Sequence, residues 1–191
     1  VAAGANQDVK VAKAETETVD VFGTHNYFTG NGGVWGGNAL LKDQKDSDES
    51  TLTYTRLTNA DGSDNCYLLM DTEVKHAGNY IFTATMRVSE GFTDENVGFG
   101  FWAGGSINGR IHDTVISGQL EANVWKDVEV RFELNEAEAN AIDSIHMWIL
   151  LANGHIDFYN MQFRTVGVGV LGDNIFKDVG FENINLTKLI L

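Results

Sequence analysis

The sequence predicts an all-β fold, a jelly-roll β-sandwich of two antiparallel sheets. Three observations carry this. Eight runs of strand length follow one another, turn-forming residues separate them, and no convincing long helix interrupts them. In Trp125 to Leu134, the residues Val128, Val130, Phe132 and Leu134 alternate with Asp127, Glu129, Arg131 and Glu133, the mark of a strand with one wet face over a core. Proline is absent, so the turns fall to 21 glycines and to Asn and Asp.

Taken in order, residues 1–16 lack periodicity and large apolar side chains and read as a flexible N-terminal segment or linker. Their Ala-rich start also suits the remnant of a signal-peptide cleavage region. Thr18 to Phe22 is a first short strand. His25 to Asn38 is expected to be a loop in which Tyr27, Phe28 and Trp35 stand among five glycines, with Trp35 either a binding lip or a plug at the sandwich end. Leu41 to Ser50 reads as an acidic loop. Thr51 to Thr58 and Asn65 to Thr72 are strands around the turn Asn59 to Asp64.

In the second of these, Cys66, Leu68 and Met70 alternate with Tyr67, Leu69 and Asp71. The lone Cys66 cannot form an internal disulfide and packs as a small hydrophobe. Ala77 to Val88 turns Tyr80, Phe82, Ala84, Met86 and Val88 inward. Asn96 to Ala103 sets Val97, Phe99 and Phe101 against Gly98, Gly100 and Trp102, a glycine floor with room for a flat ligand. Arg110 to Ser117 sets Ile111, Asp113 and Val115 against Arg110, His112 and Thr114. An acidic loop precedes Ile142 to Ala152, and Asn153-Gly154, the strongest short hairpin signal, joins that strand to Ile156 to Thr165. The sandwich is expected over 17–165, and 166–191 is a C-terminal extension packed on it or the start of a following module.

A chain of 191 residues suits one well-buried domain better than two. Its formal charge of −14 and pI near 4.5 argue against nucleic acid or an anionic membrane as partner through bulk electrostatics, and leave neutral ligands such as sugars open. No run approaches the roughly 18 to 20 apolar residues of a membrane span, so membrane insertion is not expected. Gly-x-Ser-x-Gly elbows, Walker loops, His-Glu-x-x-His and paired cysteines are absent, as is the Glu-x-Asp-x-x-Glu strand of two-carboxylate sandwich glycosidases. The chain is therefore not expected to be an enzyme; in a lyase using dispersed side chains, Arg110, His112 and Tyr67 would be the suspects.

The segment from Asn123 to Thr165 carries a resemblance. A Trp opening an alternating strand, a polar loop, an apolar strand ending in a Gly turn, and the closing run Phe158-Tyr159-Asn160-Met161-Gln162-Phe163 resemble the end of carbohydrate-binding modules of families 4, 9 and 22. The turn His76-Ala77-Gly78 and the run NYIFTATMRV resemble the middle strand of those modules. The resemblance implies a galactose-binding-like β-sandwich and non-catalytic binding of a neutral polysaccharide or oligosaccharide. It also implies a secreted or cell-surface bacterial protein in which the module is appended to others. Many members hold a structural Ca2+ through loop oxygens and a closing-strand side chain. Here Asp61 and Asp64, or Asp43, Asp46 and Asp48, are the loop carboxylates, and Asn160 stands where an acid often stands. Neither loop has the EF-hand pattern, and a solvated acidic turn explains each loop singly.

Jelly-roll order places Asn65 to Thr72, Asn96 to Ala103, Arg110 to Ser117 and Ile142 to Ala152 in one sheet. Their faces away from the core then present Tyr67, Trp102, Arg110, His112, His146 and Trp148 on one surface. Aromatic platforms stack on sugar C–H faces while flanking polar groups bond the hydroxyls, and this set has both. With Trp35 these are the candidate ligand-binding residues. If Asn153-Gly154 closes a simple hairpin, however, Trp148 falls opposite Tyr159 and reads as core.

Overall fold

A computed structural model describes residues 18–35, 39–92 and 95–170. Eleven strands run through them: β1 (Thr18–Phe22), β2 (Phe28–Trp35), β3 (Ala39–Gln44), β4 (Tyr54–Asn59), β5 (Cys66–Thr72), β6 (Gly78–Val88), β7 (Val97–Ala103), β8 (Gly109–Val115), β9 (Lys126–Leu134), β10 (Ile142–Ile149) and β11 (Gly154–Val170). One sheet has the order β3-β4-β11-β6-β9, with β1 paired to the far end of β11; the other has the order β2-β5-β10-β7-β8. Every pairing between these strands is antiparallel, and the two sheets form the expected sandwich.

Alternation decides the core. Val128, Val130, Phe132 and Leu134 of β9 are buried, as are Tyr80, Phe82, Ala84, Met86 and Val88 of β6. Phe99 and Phe101 of β7 face them from the second sheet. Phe82 stacks on Phe99 with ring centroids 3.9 Å apart, and Tyr80 stacks on Phe163 at 5.2 Å. Each such ring contributes roughly 1.5–3 kcal/mol by leaving water, so this aromatic layer clamps the sheets together. Cys66 is buried among them, and burial pushes its thiol up to about 12.

The sequence and the structure part at several places. The glycine-rich stretch expected as a loop holds β2, an edge strand whose register shifts between Phe28 and Gly30 and between Asn31 and Gly33. Bulges and pairing to β5 give it the order that its own propensity lacks. The expected acidic loop begins as β3, an edge strand in which Asp43 has a φ of 54°. Charged edge strands are how sheets avoid further pairing, so such an edge looks like a loop in sequence. The acidic connection before β10 is a short helix, α1 (Glu136–Ala141), started by a capping box between Asn135 and Glu138. Last, Asn153-Gly154 closes no hairpin. β10 and β11 lie in different sheets, and the chain crosses between them through Leu151, which has a φ of 57°.

Residues 166–170 belong to β11 and pair with β1, so the strand continues past the expected end of the sandwich at Thr165. Residues 1–17 and 171–191, which include most of the expected terminal segments, lie outside the described residues. No helix among the described residues is long and apolar enough to cross a membrane.

Candidate functional site

The second sheet contains the four strands expected to share it, with β10 and β7 adjacent. Its outward rows follow from register. Ser144 of β10 lies beside Trp102, His146 beside Gly100 and Leu69, and Trp148 beside Gly98 and Tyr67. Between these rows is a pocket of about 590 Å3 lined by Asn65, Tyr67, Leu69, Trp102, Arg110, Ser144 and His146. Trp102 is 39% exposed, a large ring left in solvent beside a cavity.

Arg110 projects from the edge strand β8. Its Nη1 donates to Tyr67 Oη at 2.8 Å, and its Nε lies 3.0 Å from Asp113 Oδ2. The other carboxylate oxygen of Asp113 lies 3.0 Å from His146 Nε2. An ionised carboxylate only accepts, so His146 donates through Nε2–H. His146 is 1% exposed, and its ring lies against Tyr67 with centroids 5.5 Å apart. Burial raises the Tyr67 hydroxyl above its ordinary pKa, so it stays protonated. The result is a set of polar side chains, Tyr67, Arg110 and His146, held in place by Asp113, which is engaged at both oxygens.

The sequence placed Asp113 on the core face and His112 in the site; the structure exchanges them. β8 pairs Phe99 with Thr114 but Phe101 with Ile111, so Gly100 faces two residues, and His112 has a φ of 53°. This bulge flips every side chain after it. His112 turns to the sandwich end, where its Nε2 meets Glu138 Oε1 at 3.1 Å and its ring lies T-shaped to Phe101 and Phe132. Val115, expected inside, is consequently exposed. The one available signal was a charged Asp at a core parity.

The glycine floor is likewise filled. A Cβ on Gly98 would collide with the Trp148 indole, and one on Gly100 would collide with Asp113. Both glycines therefore admit neighbouring side chains of this chain, and the flat ring over Gly98 is Trp148 itself. Trp148 is 5% exposed and does not line the pocket, so it is a floor beside the site and no platform. Its Nε1 is buried with no hydrogen-bond partner. Trp35 ends β2 opposite Tyr67, and its side chain lies outside the described residues. Asn65, Leu69 and Ser144 were missed, although Asn65 and Leu69 share the parity of Tyr67, and Ser144 that of His146.

The residues expected to hold Ca2+ do not come together. Asp61 Oδ1 accepts from the Ser63 N–H and so closes its own turn, which lowers its pKa. Asn160 sits in the β11 bulge and accepts from Gln162 Nε2. Gly154 pairs with Asn59 next to the Asp61 turn, and Asn160 is six residues further along β11, about 20 Å away at the rise of an extended chain. Asp46 is taken by Arg87. Among the described residues no group of three or more His, Cys, Asp or Glu side chains could hold a metal ion. Asp61 and Asn160, each engaged within its own turn or strand, are not placed to share an ion.

No protein-family model and no curated protein matches the chain. Solved structures do. The CBM22-1 xylan-binding domain from Paenibacillus barcinonensis superposes with a TM-score of 0.51 at 10% identity, covering 81% of this chain and 97% of that one. The CBM22-2 xylan-binding domain of the same protein gives 0.50 at 12% identity over 77% and 98%. The N-terminal CBM22-1 and GH10 modules of a Clostridium thermocellum endo-1,4-beta-D-xylanase, solved with xylohexaose, give 0.50 at 14% identity, covering 78% of this chain and 29% of that one. The chain thus has the β-sandwich fold of family 22 carbohydrate-binding modules, the fold its closing strands resemble.

Proposed function

We propose that this chain is a non-catalytic carbohydrate-binding module that attaches a larger secreted or cell-surface bacterial protein to a polysaccharide with a neutral backbone. The observation that carries this reading is Trp102, a ring exposed on the lip of a mostly apolar pocket to which Asn65, Tyr67, Arg110 and Ser144 add polar groups, Arg110 being held by Tyr67 and by Asp113 behind it. Such a ring stacks on a sugar face while the polar groups bond hydroxyls. Among the described residues lining this pocket there is no carboxylate, whereas glycoside hydrolysis uses two. The fold is that of solved xylan-binding domains, which makes xylan the first polymer to test. As a module, the chain would raise the local concentration of its parent protein at the polymer.

Native affinity electrophoresis through gels holding xylan, β-glucan, mannan, galactan or starch tests this. Retardation by one polymer, lost in Trp102→Ala with an unchanged melting curve, is the expected result. A chain slowed by none of them is instead a structural or adhesin sandwich, in which Trp148 is core and Trp102 serves another contact.

A further inference from the structure

We infer that the pocket recognises a carboxylate on its glycan, the uronic-acid substituent of an otherwise neutral polymer, through Arg110. The inference rests on the polysaccharide-binding reading above and adds the chemical class of the group that these polar side chains take.

These side chains offer donors. Arg110 has Nη1 on Tyr67 and Nε beside Asp113, while Nη2 has no hydrogen-bond partner among the described residues and the side chain lines the pocket half-exposed. Tyr67 Oη already accepts from Arg110, so its own hydrogen points elsewhere. Asp113 has one oxygen on His146 and the other on Arg110, which leaves it poorly placed to accept from a ligand. The Arg110–Tyr67 part of the site, as distinct from Asn65 and Ser144, therefore favours a group that accepts. Acetyl, sulfate and carboxylate substituents of sugars all accept only; of these the carboxylate is the planar anion, and a guanidinium binds it by charge-assisted, planar hydrogen bonds.

Other arginines of the chain show the same capacity. Arg87 holds Asp46 and Asp157 at once, and Arg131 holds Asp20 and Glu129. Arg110 has the first carboxylate, Asp113, and a solvent-facing edge where the second would sit. Trp102, its direct partner across the β7–β8 ladder, is placed to cover the sugar ring that bears the acid. The charge of −14 on the whole chain works against a densely acidic polymer and is compatible with sparse uronates on a neutral backbone.

The test compares two uronate-bearing polymers, glucuronoxylan and a glucuronate-branched arabinogalactan, each with its carboxyl-reduced derivative, by affinity electrophoresis and calorimetry at low and high salt. The expected result is at least tenfold tighter binding of one native polymer than of its reduced form. That ratio shrinks with salt and collapses toward one in Arg110→Gln and in Arg110→Lys, which keeps the charge and loses the fork. Circular dichroism melts confirm that both variants fold. Equal binding of native and reduced polymer, or binding only to uronate-free glycans, overturns the inference and leaves the module reading standing. Binding to none of these and none of the neutral panel overturns both.

Discussion

The guanidinium of Arg110 reaches from the edge strand β8 across β7 and β10 to donate to Tyr67 Oη on β5 at 2.8 Å. A single hydrogen bond thus spans four strands of the outer face, and Asp113, bound to both Arg110 and His146, fixes its near end. Removing the Tyr67 hydroxyl tests its worth. A hydrogen bond to a charged group contributes about 1.5–3 kcal/mol. Tyr67→Phe is therefore expected to weaken glycan binding by roughly tenfold or more through a loosened Arg110, with little change in melting temperature because Arg110 is solvent-exposed. An unchanged dissociation constant would show that the bridge does not organise the site.

The two tryptophans of this face are expected to separate cleanly. Trp148→Ala removes a buried ring lying on Gly98 and should cost about 3–5 kcal/mol in urea unfolding. Trp102→Ala removes a ring over a third exposed; its stability cost should stay well below that of Trp148→Ala while polymer binding is lost. Similar unfolding midpoints for the two variants would contradict the assignment of one as floor and the other as platform.

Gly100 provides a third test. An added Cβ would drive Asp113 off its place, and Asp113 holds both His146 and Arg110. Gly100→Ala should lower stability by about 1–3 kcal/mol through overpacking and also weaken binding. Binding retained at full strength, with the fold intact, would show that the Asp113 position is dispensable.

On the opposite sheet Asp157 is wholly buried and takes Arg56 through two bonds of 2.6 and 2.9 Å and Arg87 through one of 2.8 Å. Breaking a buried ion pair from one side costs about 3–5 kcal/mol because the remaining charges lose their partner. Asp157→Ala should fall in that range by denaturant titration and should be little rescued by salt; a cost under 1 kcal/mol would place the pair in the class of surface bridges.

His155 gives the pH dependence a sign. Burial, with the Arg56 charge nearby, holds its imidazole below the ordinary value of 6.5. Between that lowered value and 6.5 the unfolded chain binds more protons than the folded one. Its contribution is therefore whole above 6.5 and declines as pH falls toward the folded pKa. The drop in urea midpoint from pH 7.5 to 5.5 should be smaller in His155→Gln than in the native chain. If the two drops are equal, His155 is not the group responsible.

The sequence by itself determined which side of each regular strand meets the core. Two-residue alternation is a local property of extended backbone, so the inward residues of β5, β6, β7 and β9, and with them Tyr67, Trp102 and His146 on the outer face, were legible residue by residue. Strand order and the resemblance at residues 123–165 then placed β5, β7, β8 and β10 in one sheet. Only the tertiary structure decided the rest, because each of these features depends on a partner distant in the chain. Pairing with β7 puts the bulge at His112 and brings Asp113 to Arg110 and His146. Gly98 and Gly100 are filled because Trp148 and Asp113 arrive from β10 and β8. The choice of β11 to join the other sheet turns Asn153-Gly154 from a hairpin into a corner. Alternation says which way a side chain points only while the ladder is regular, and this outer face was shaped where the ladder is broken.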